Sequence, residues 1–189
     1  MTRLVFLLEE RSMQTLLEGL LPRLFPRLSF LCISREGKSD LDSGIPGILR
    51  NWRVPGDRFV IVRDNDNADC YAIKERLRQL CLQGRREDTL IRIVCQELES
   101  WYIGDPDAMA AAFGNERLRS IGRRAQYRNP DIRPKPSNDL ATLAPGFQKT
   151  DAAQRMAQHL TRDNNRSHSF AIFLDGIGKL MQNPSTQMA

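Results

Sequence analysis

The chain has 189 residues, 41% hydrophobic and 27% charged, enough for one domain with a real core and unlike a disordered or fibrous chain. Its 28 Lys and Arg against 23 Asp and Glu leave a net charge of +5 and a pI near 9.3, compatible with a polyanionic partner such as nucleic acid without requiring one. No stretch approaches the roughly 20 apolar residues of a membrane span, and the run from Leu4 to Leu8 meets Glu9 and Glu10 too soon for a signal peptide. A cytoplasmic protein is expected. Cys32, Cys70, Cys81 and Cys95 form no CxxC pair and have only His159 and His168 to complete a zinc site, so reduced thiols in apolar surroundings are expected.

"RLVFLLEE" reads as a fully buried strand that ends at Glu9. The next segment, "SMQTLLEGLLPRLF", carries Met13, Leu16, Leu17, Leu20 and Leu21 on one helical face, with Ser12 as the expected N-cap and Pro22 bending or ending the helix. Residues 28–34 form a second strand, followed by a polar, glycine-rich loop over 35–47 and a short helix around 48–52. "DRFVIVRD" is the third strand, residues 69–83 an amphipathic helix, and "TLIRIVCQ" the fourth strand, leading into "ELESWYIGD". Apolar strands alternating with helices predict an α/β three-layer sandwich with a mainly parallel sheet of about four strands.

From residue 105 the pattern changes. Asp105 and Pro106 open a helix, as cap and first residue. Residues 123–137 are basic and punctuated by proline, and regular structure is not expected there. A helix over 151–160 follows, then an apolar helix in "HSFAIFLDGIGKLM" that should pack back onto the sheet, and a frayed end in "QNPSTQMA". The division expected is an α/β core over 1–104 and a helical appendage over 105–189, together one structural domain.

Acidic residues gather at the carboxyl ends of three strands: Glu9 and Glu10 after the first, Asp64, Asp66 and Asp69 after the third, Glu97 and Glu99 after the fourth. Ligands of open parallel sheets bind at those ends. If the first and third strands are neighbours, Glu9 faces Asp64 and Asp66. Crowded carboxylates repel and raise one another's pKa, and a hard divalent cation, Mg²⁺ or Mn²⁺, relieves that repulsion. The expected metal set is Glu9, Asp64, Asp66, Asp69 and Glu97. Asp69 would equally serve as the cap of the helix after it. Glu97 lies nearest the strand tip and is the expected member of its pair, with Glu99 in support.

A glutamate directly after the first strand and Asp-x-Asp directly after a later one resemble the Toprim domain of topoisomerases, primases, recombination proteins and overcoming-lysogenization-defect (OLD) nucleases. That resemblance implies Glu9 as general acid or base and Asp64 and Asp66 as Mg²⁺ ligands in phosphodiester cleavage, the three together forming the catalytic set. Glu10 stands where the Toprim glutamate usually has glycine after it. Over residues 2–181 the chain is also similar to a bacterial family catalogued as a domain of unknown function, through "LLEERSM", "GKSD", "RDNDNADC", "QELESWYIGD", "GFQKT" and "SHSFAIFL".

Around the acids, Lys38, Arg128, Lys135 and Lys149 are candidates for holding the phosphates of a nucleic acid, within a basic set that also includes Arg123, Arg124 and Arg133. "GKS" is no P-loop, because Cys32 stands where the upstream glycine belongs. Trp101 and Tyr102 are expected in the core, and His168 has no partners of a catalytic triad. Two functions follow: a Mg²⁺-dependent nuclease, or a non-catalytic Toprim-like module binding nucleic acid or a partner. In either case the relation to defence cassettes implies an ATPase supplied by another protein, since this chain has no ATPase motif.

Overall fold

Apolar runs with no polar interruption are buried between two layers, and the two central strands of the sheet carry such runs. The computed structural model describes residues 2–182. Four strands, β1 (Arg3–Leu8), β2 (Ser29–Ser34), β3 (Arg58–Asp64) and β4 (Leu90–Val94), lie in the order β2-β1-β3-β4. All pairings are parallel, and Leu8 is level with Val62 and Asp64 with Val94. The neighbouring of β1 and β3, on which the meeting of Glu9 with Asp64 depends, is present.

Alternate residues of each strand feed two cores. Leu4, Phe6, Leu8, Val60, Val62 and Val94 face the larger one, with α1 (Arg11–Leu24) and α8 (His168–Gln182). Val5, Leu7, Phe59, Ile61 and Ile91 face the smaller, with α2 (Lys38–Asn51) and α3 (Cys70–Gln83). The chain winds to one side of β1 through α1 and to the other through α2 and α3. The strand order therefore reverses between β1 and β3, and the crevice of a doubly wound sheet opens at their carboxyl ends.

Three local expectations need correction. The first helix is capped by Glu10, and Ser12 sits inside it with its hydroxyl donating to Glu10 Oε1 at 2.8 Å. Pro22 lies in the last turn, where its missing N–H removes one bond of the helix, and as expected the helix ends just beyond it, two residues later. Residues 38–47, expected as loop, are the first turns of α2. Gly44, Pro46 and Gly47 argue locally against a helix, but Leu41, Ile45 and Leu49 recur every four residues and are fully buried, and that packing outweighs propensity. Residues 116–132, which include much of the basic segment, form three 3₁₀ stretches, Glu116–Arg123, Ala125–Tyr127 and Pro130–Ile132. Asn115 and Asn129 cap the first and third of these through their side chains, and α6 (Pro136–Leu143) begins before the segment ends.

The remaining helices are α4 (Glu99–Gly104), α5 (Pro106–Phe113) and α7 (Lys149–Ala157). Asp105 caps α5 as expected, accepting from Ala108 N at 3.0 Å, and also accepts from Thr161 N and Oγ1. Helix α7 packs along α1, and Arg23 donates to Ala157 O at 3.2 Å, so the C-terminal helices complete the larger core. Trp101 and Tyr102 are fully buried, Trp101 against Phe170 and Phe173 of α8 with ring centroids 5.1 Å apart. Ser169 accepts the Trp101 indole N–H at 2.9 Å, and Asp131 takes the Ser169 amide at 2.8 Å and the Ser167 hydroxyl at 2.6 Å at the start of α8. Gly104 is obligatory, since a Cβ there would meet Asn165 and stand 3.0 Å from Ser167 N. "WYIGD" and "SHSFAIFL" are thus two halves of one packing contact. The frayed end expected for "QNPSTQMA" lies, beyond Gln182, outside the described residues. No helix among the described residues is long and apolar enough to cross a membrane.

Candidate active site

The loop after β3 is held in an uncommon conformation. Asp66 and Asn67 have φ of +48° and +64°, a region that Asp and Asn tolerate better than most side chains. The segment after β4 meets it through Gln96, itself at φ +67°. Asp66 N donates to Gln96 O at 3.0 Å, Asn67 N to Gln96 Oε1 at 2.9 Å, and Gln96 N to the Asn65 side chain. The segments "RDNDNADC" and "QELES" are therefore fixed relative to one another by backbone amides bonded to backbone and side-chain oxygens.

Glu9 reaches across the crevice. Its Oε2 accepts from Asp64 N at 3.3 Å, and its carbonyl accepts from Gly37 N at 2.9 Å, which ties the start of α2 to the same place. Burial and then the charge of Asp66 lift the Glu9 carboxyl above its ordinary value, against the pull of the Asp64 amide and Arg63. Asp64 Oδ2 accepts from Leu98 N at 3.1 Å. Burial, followed by the charges of Glu9, Glu99 and Glu10, drives Asp64 well above the carboxylate range. Asp66 Oδ2 pairs with Lys38 Nζ at 2.9 Å. Glu9, Asp64 and Asp66 thus lie around the switch between β1 and β3, with Glu9 against the Asp64 amide and within reach of the Asp66 charge, and each carboxylate turned to a different donor.

The other expected ligands stand apart from this group. Asp69 is exposed and caps α3, accepting from Tyr71 N at 2.7 Å and Ala72 N at 2.9 Å. Glu97 is turned to α6, accepting from Ser137 N at 2.8 Å with Lys135 Nζ 3.6 Å away. Glu99 takes the inward position instead. It is 1% exposed, and its Oε2 has no hydrogen-bond partner. Burial raises it to about 7, opposed by Lys149. Below it Tyr102 Oη is also buried without a partner, its pKa driven well up by burial and by Glu99 and Asp64. A buried glutamate three residues before a buried tyrosine on a short helix was the available signal for Glu99. Distance from the strand tip favoured Glu97.

Lysines close the rim. Lys149, the first residue of α7, pairs with Glu10 Oε1 at 3.1 Å, and although burial opposes its charge, Glu99, Glu10 and Asp64 hold its ammonium above the ordinary value. Lys38 and Lys135 pair with Asp66 and Glu97. Arg128 is exposed after the 125–127 turn, as are Arg123 and Arg124. Arg133 is committed to Asp139, at 2.7 and 2.9 Å, and to the Tyr127 ring.

The donor set is chemically right for Mg²⁺ or Mn²⁺: hard oxygens, mutually repelling, their protonated forms favoured by burial, with a buried carboxylate oxygen left unpartnered. The bonds described above engage one oxygen each of Glu9, Asp64 and Asp66. Among the described residues no three His, Cys, Asp or Glu side chains already stand as a cage for an ion. The donor chemistry suits a hard cation, but the side chains as they stand are spread over different partners, with lysines and backbone amides occupying part of their coordination.

The C-terminal region of the OLD protein of Burkholderia pseudomallei has a similar structure, with a TM-score of 0.55, 15% identity, and coverage of 94% of this chain and 99% of that one. The C-terminal region of the OLD protein of Xanthomonas campestris pv. campestris gives a TM-score of 0.49 at 14% identity, covering 96% and 98%. At such identities the likeness is one of fold, and the fold is that of the Toprim domain. No curated protein matches the sequence. Residues 8–178 match the family described as a domain of unknown function, DUF4276, and the chain belongs to that family.

Proposed function

We propose that this protein is a divalent-metal-dependent phosphodiesterase acting on nucleic acid, a nuclease of the Toprim type. One observation supports the reading: Glu9 lies against the amide of Asp64, 55 residues away, at the topological switch of a parallel sheet, with the Asp66 charge acting on Glu9 and the Glu9 and Asp64 carboxyls both raised, first by burial. Asp64 and Asp66 would hold Mg²⁺ or Mn²⁺, with Glu9 as a further ligand or as the group that moves a proton. When bound, the ion would supply a polarised phosphoryl oxygen and a more acidic water. Glu99, buried and with its pKa near 7, is suited to accept or return a proton at neutral pH. Lys149 keeps positive charge over the acids, and Lys38, Lys135 and Arg128 offer cations to flanking phosphates.

A second reading has its own observation. Each acid expected as a ligand already bonds a protein donor, so the crevice can rest without an ion and serve as a binding module for nucleic acid or for a partner ATPase. Incubation with plasmid DNA and with RNA in Mg²⁺ and in Mn²⁺ tests the choice. Cleavage that chelator abolishes, and that Asp64→Asn and Glu9→Gln both remove, supports the nuclease. Cleavage that survives both substitutions refutes this assignment of residues. Metal-dependent nucleic-acid binding with no cleavage favours the module.

A further inference from the structure

Lys38 is the first residue of α2, its start fixed by the Gly37 N–H donated to Glu9 O at 2.9 Å, with Gly37 at φ +99°. From there the side chain lies against Asp66, Nζ 2.9 Å from Oδ2, and both remain open to solvent, 54% exposed for Lys38 and 31% for Asp66. Arg63, by contrast, is buried behind the crevice, where its Nη1 lies 3.0 Å from both oxygens of Asp42 and a second cation, Arg76, stands 3.2 Å from that carboxylate. Arg63 is held by burial and by Nη1 shared between both oxygens of Asp42; Lys38 has one point contact and a four-carbon stem half open to solvent. An ammonium so placed neutralises its carboxylate but does not hold it against a doubly charged competitor.

We propose that Lys38 is a displaceable counter-ion of the crevice: a divalent cation and the Lys38 ammonium compete for Asp66, and the ammonium released by the cation holds a substrate phosphate. The proposal rests on the metal-binding reading above and goes beyond it. It predicts opposite effects from a single substitution, because the competitor for the metal and the ligand for the phosphate are the same group. The neighbouring anchors do not share this behaviour: Glu97 is taken up by the Ser137 amide, and Asp69 by two amides of its own helix.

The test uses the full chain and its Lys38→Met and Lys38→Arg variants, with far-UV circular dichroism to establish that α2 persists. Mn²⁺ binding is measured by calorimetry. Binding of a short fluorescein-labelled DNA strand is measured by anisotropy in Ca²⁺, without turnover. Lys38→Met should bind Mn²⁺ about two- to fivefold more tightly, the effect of removing one half-exposed ion pair, while binding the DNA at least several-fold more weakly. Lys38→Arg should restore DNA binding. Unchanged or weaker Mn²⁺ binding in Lys38→Met, with the unsubstituted protein binding normally, overturns the counter-ion role and leaves the metal site standing. Tighter Mn²⁺ binding with unaltered DNA binding overturns the handover to phosphate. Absence of Mn²⁺ binding in all three proteins overturns both this proposal and the metal reading beneath it.

Discussion

Replacing Glu99 by Gln tests the electrostatics of the crevice without removing bulk from it. The carboxyl is 1% exposed and is carried from 4.5 to about 7, chiefly by burial. At about 1.4 kcal/mol per pH unit, that difference is an ionisation cost of about 3 kcal/mol borne by the folded state. The folded value lies above the unfolded one, so the cost is absent below pH 4.5, grows as pH rises, and is complete above about pH 7. A neutral amide never ionises. Glu99→Gln should therefore unfold like the unsubstituted protein near pH 4.5 and be more stable by about 3 kcal/mol near pH 8, or about 6 to 12 °C in a chain of this size. Thermal and urea unfolding at both pH values measures it. Equal stability at pH 8, or a loss there, would mean that Glu99 is solvated or tightly paired and would refute the reasoning. The same variant should lose any activity that depends on a proton carried at this position.

Other outcomes follow from the same geometry. Asp64→Asn should leave stability at neutral pH unchanged or higher, because burial already disfavours its charge, while abolishing the rise in melting temperature on adding Mn²⁺; thermal melts with and without metal check both parts. Mn²⁺ affinity should strengthen from pH 6 to pH 8, since Glu99, raised to about 7, must shed its proton to act as a neighbour of the ion, and calorimetry in two buffers of different ionisation heat should detect its release. Asp131→Ala leaves Ser167 Oγ, Ser169 N and the start of α8 without their acceptor and should cost about 1 to 3 kcal/mol in urea unfolding, with no direct effect on metal binding.

The strands were legible because their signal is local: short, mainly apolar runs, three of them followed by carboxylates. Their order was not; β1 beside β3 entered only as the condition under which Glu9 would face Asp64, and the pairing is present. Helix α2 was hidden by two glycines and a proline, whose local preference loses to the burial of Leu41, Ile45 and Leu49. The exchange of roles between Glu97 and Glu99 is a matter of helical phase. Leu98 turns its amide to Asp64, and the chain entering α4 then directs Glu99 inward and leaves Glu97 to anchor α6, a choice set by residues 40 positions downstream. Lys149 was chosen for its charge alone; that it stands beside Glu10, 139 residues earlier, depends on the packing of α7 along α1.

The central claim is spatial, that Glu9, Asp64 and Asp66 serve one ion, and diffraction at the manganese edge from crystals grown with Mn²⁺ tests it most directly. The account predicts an anomalous peak at the carboxyl ends of β1 and β3, about 2 Å from a carboxylate oxygen of Asp64 and of Asp66 and bonded to Glu9 directly or through one water. A peak elsewhere on the chain, or none at a concentration that stabilises the protein, would contradict it.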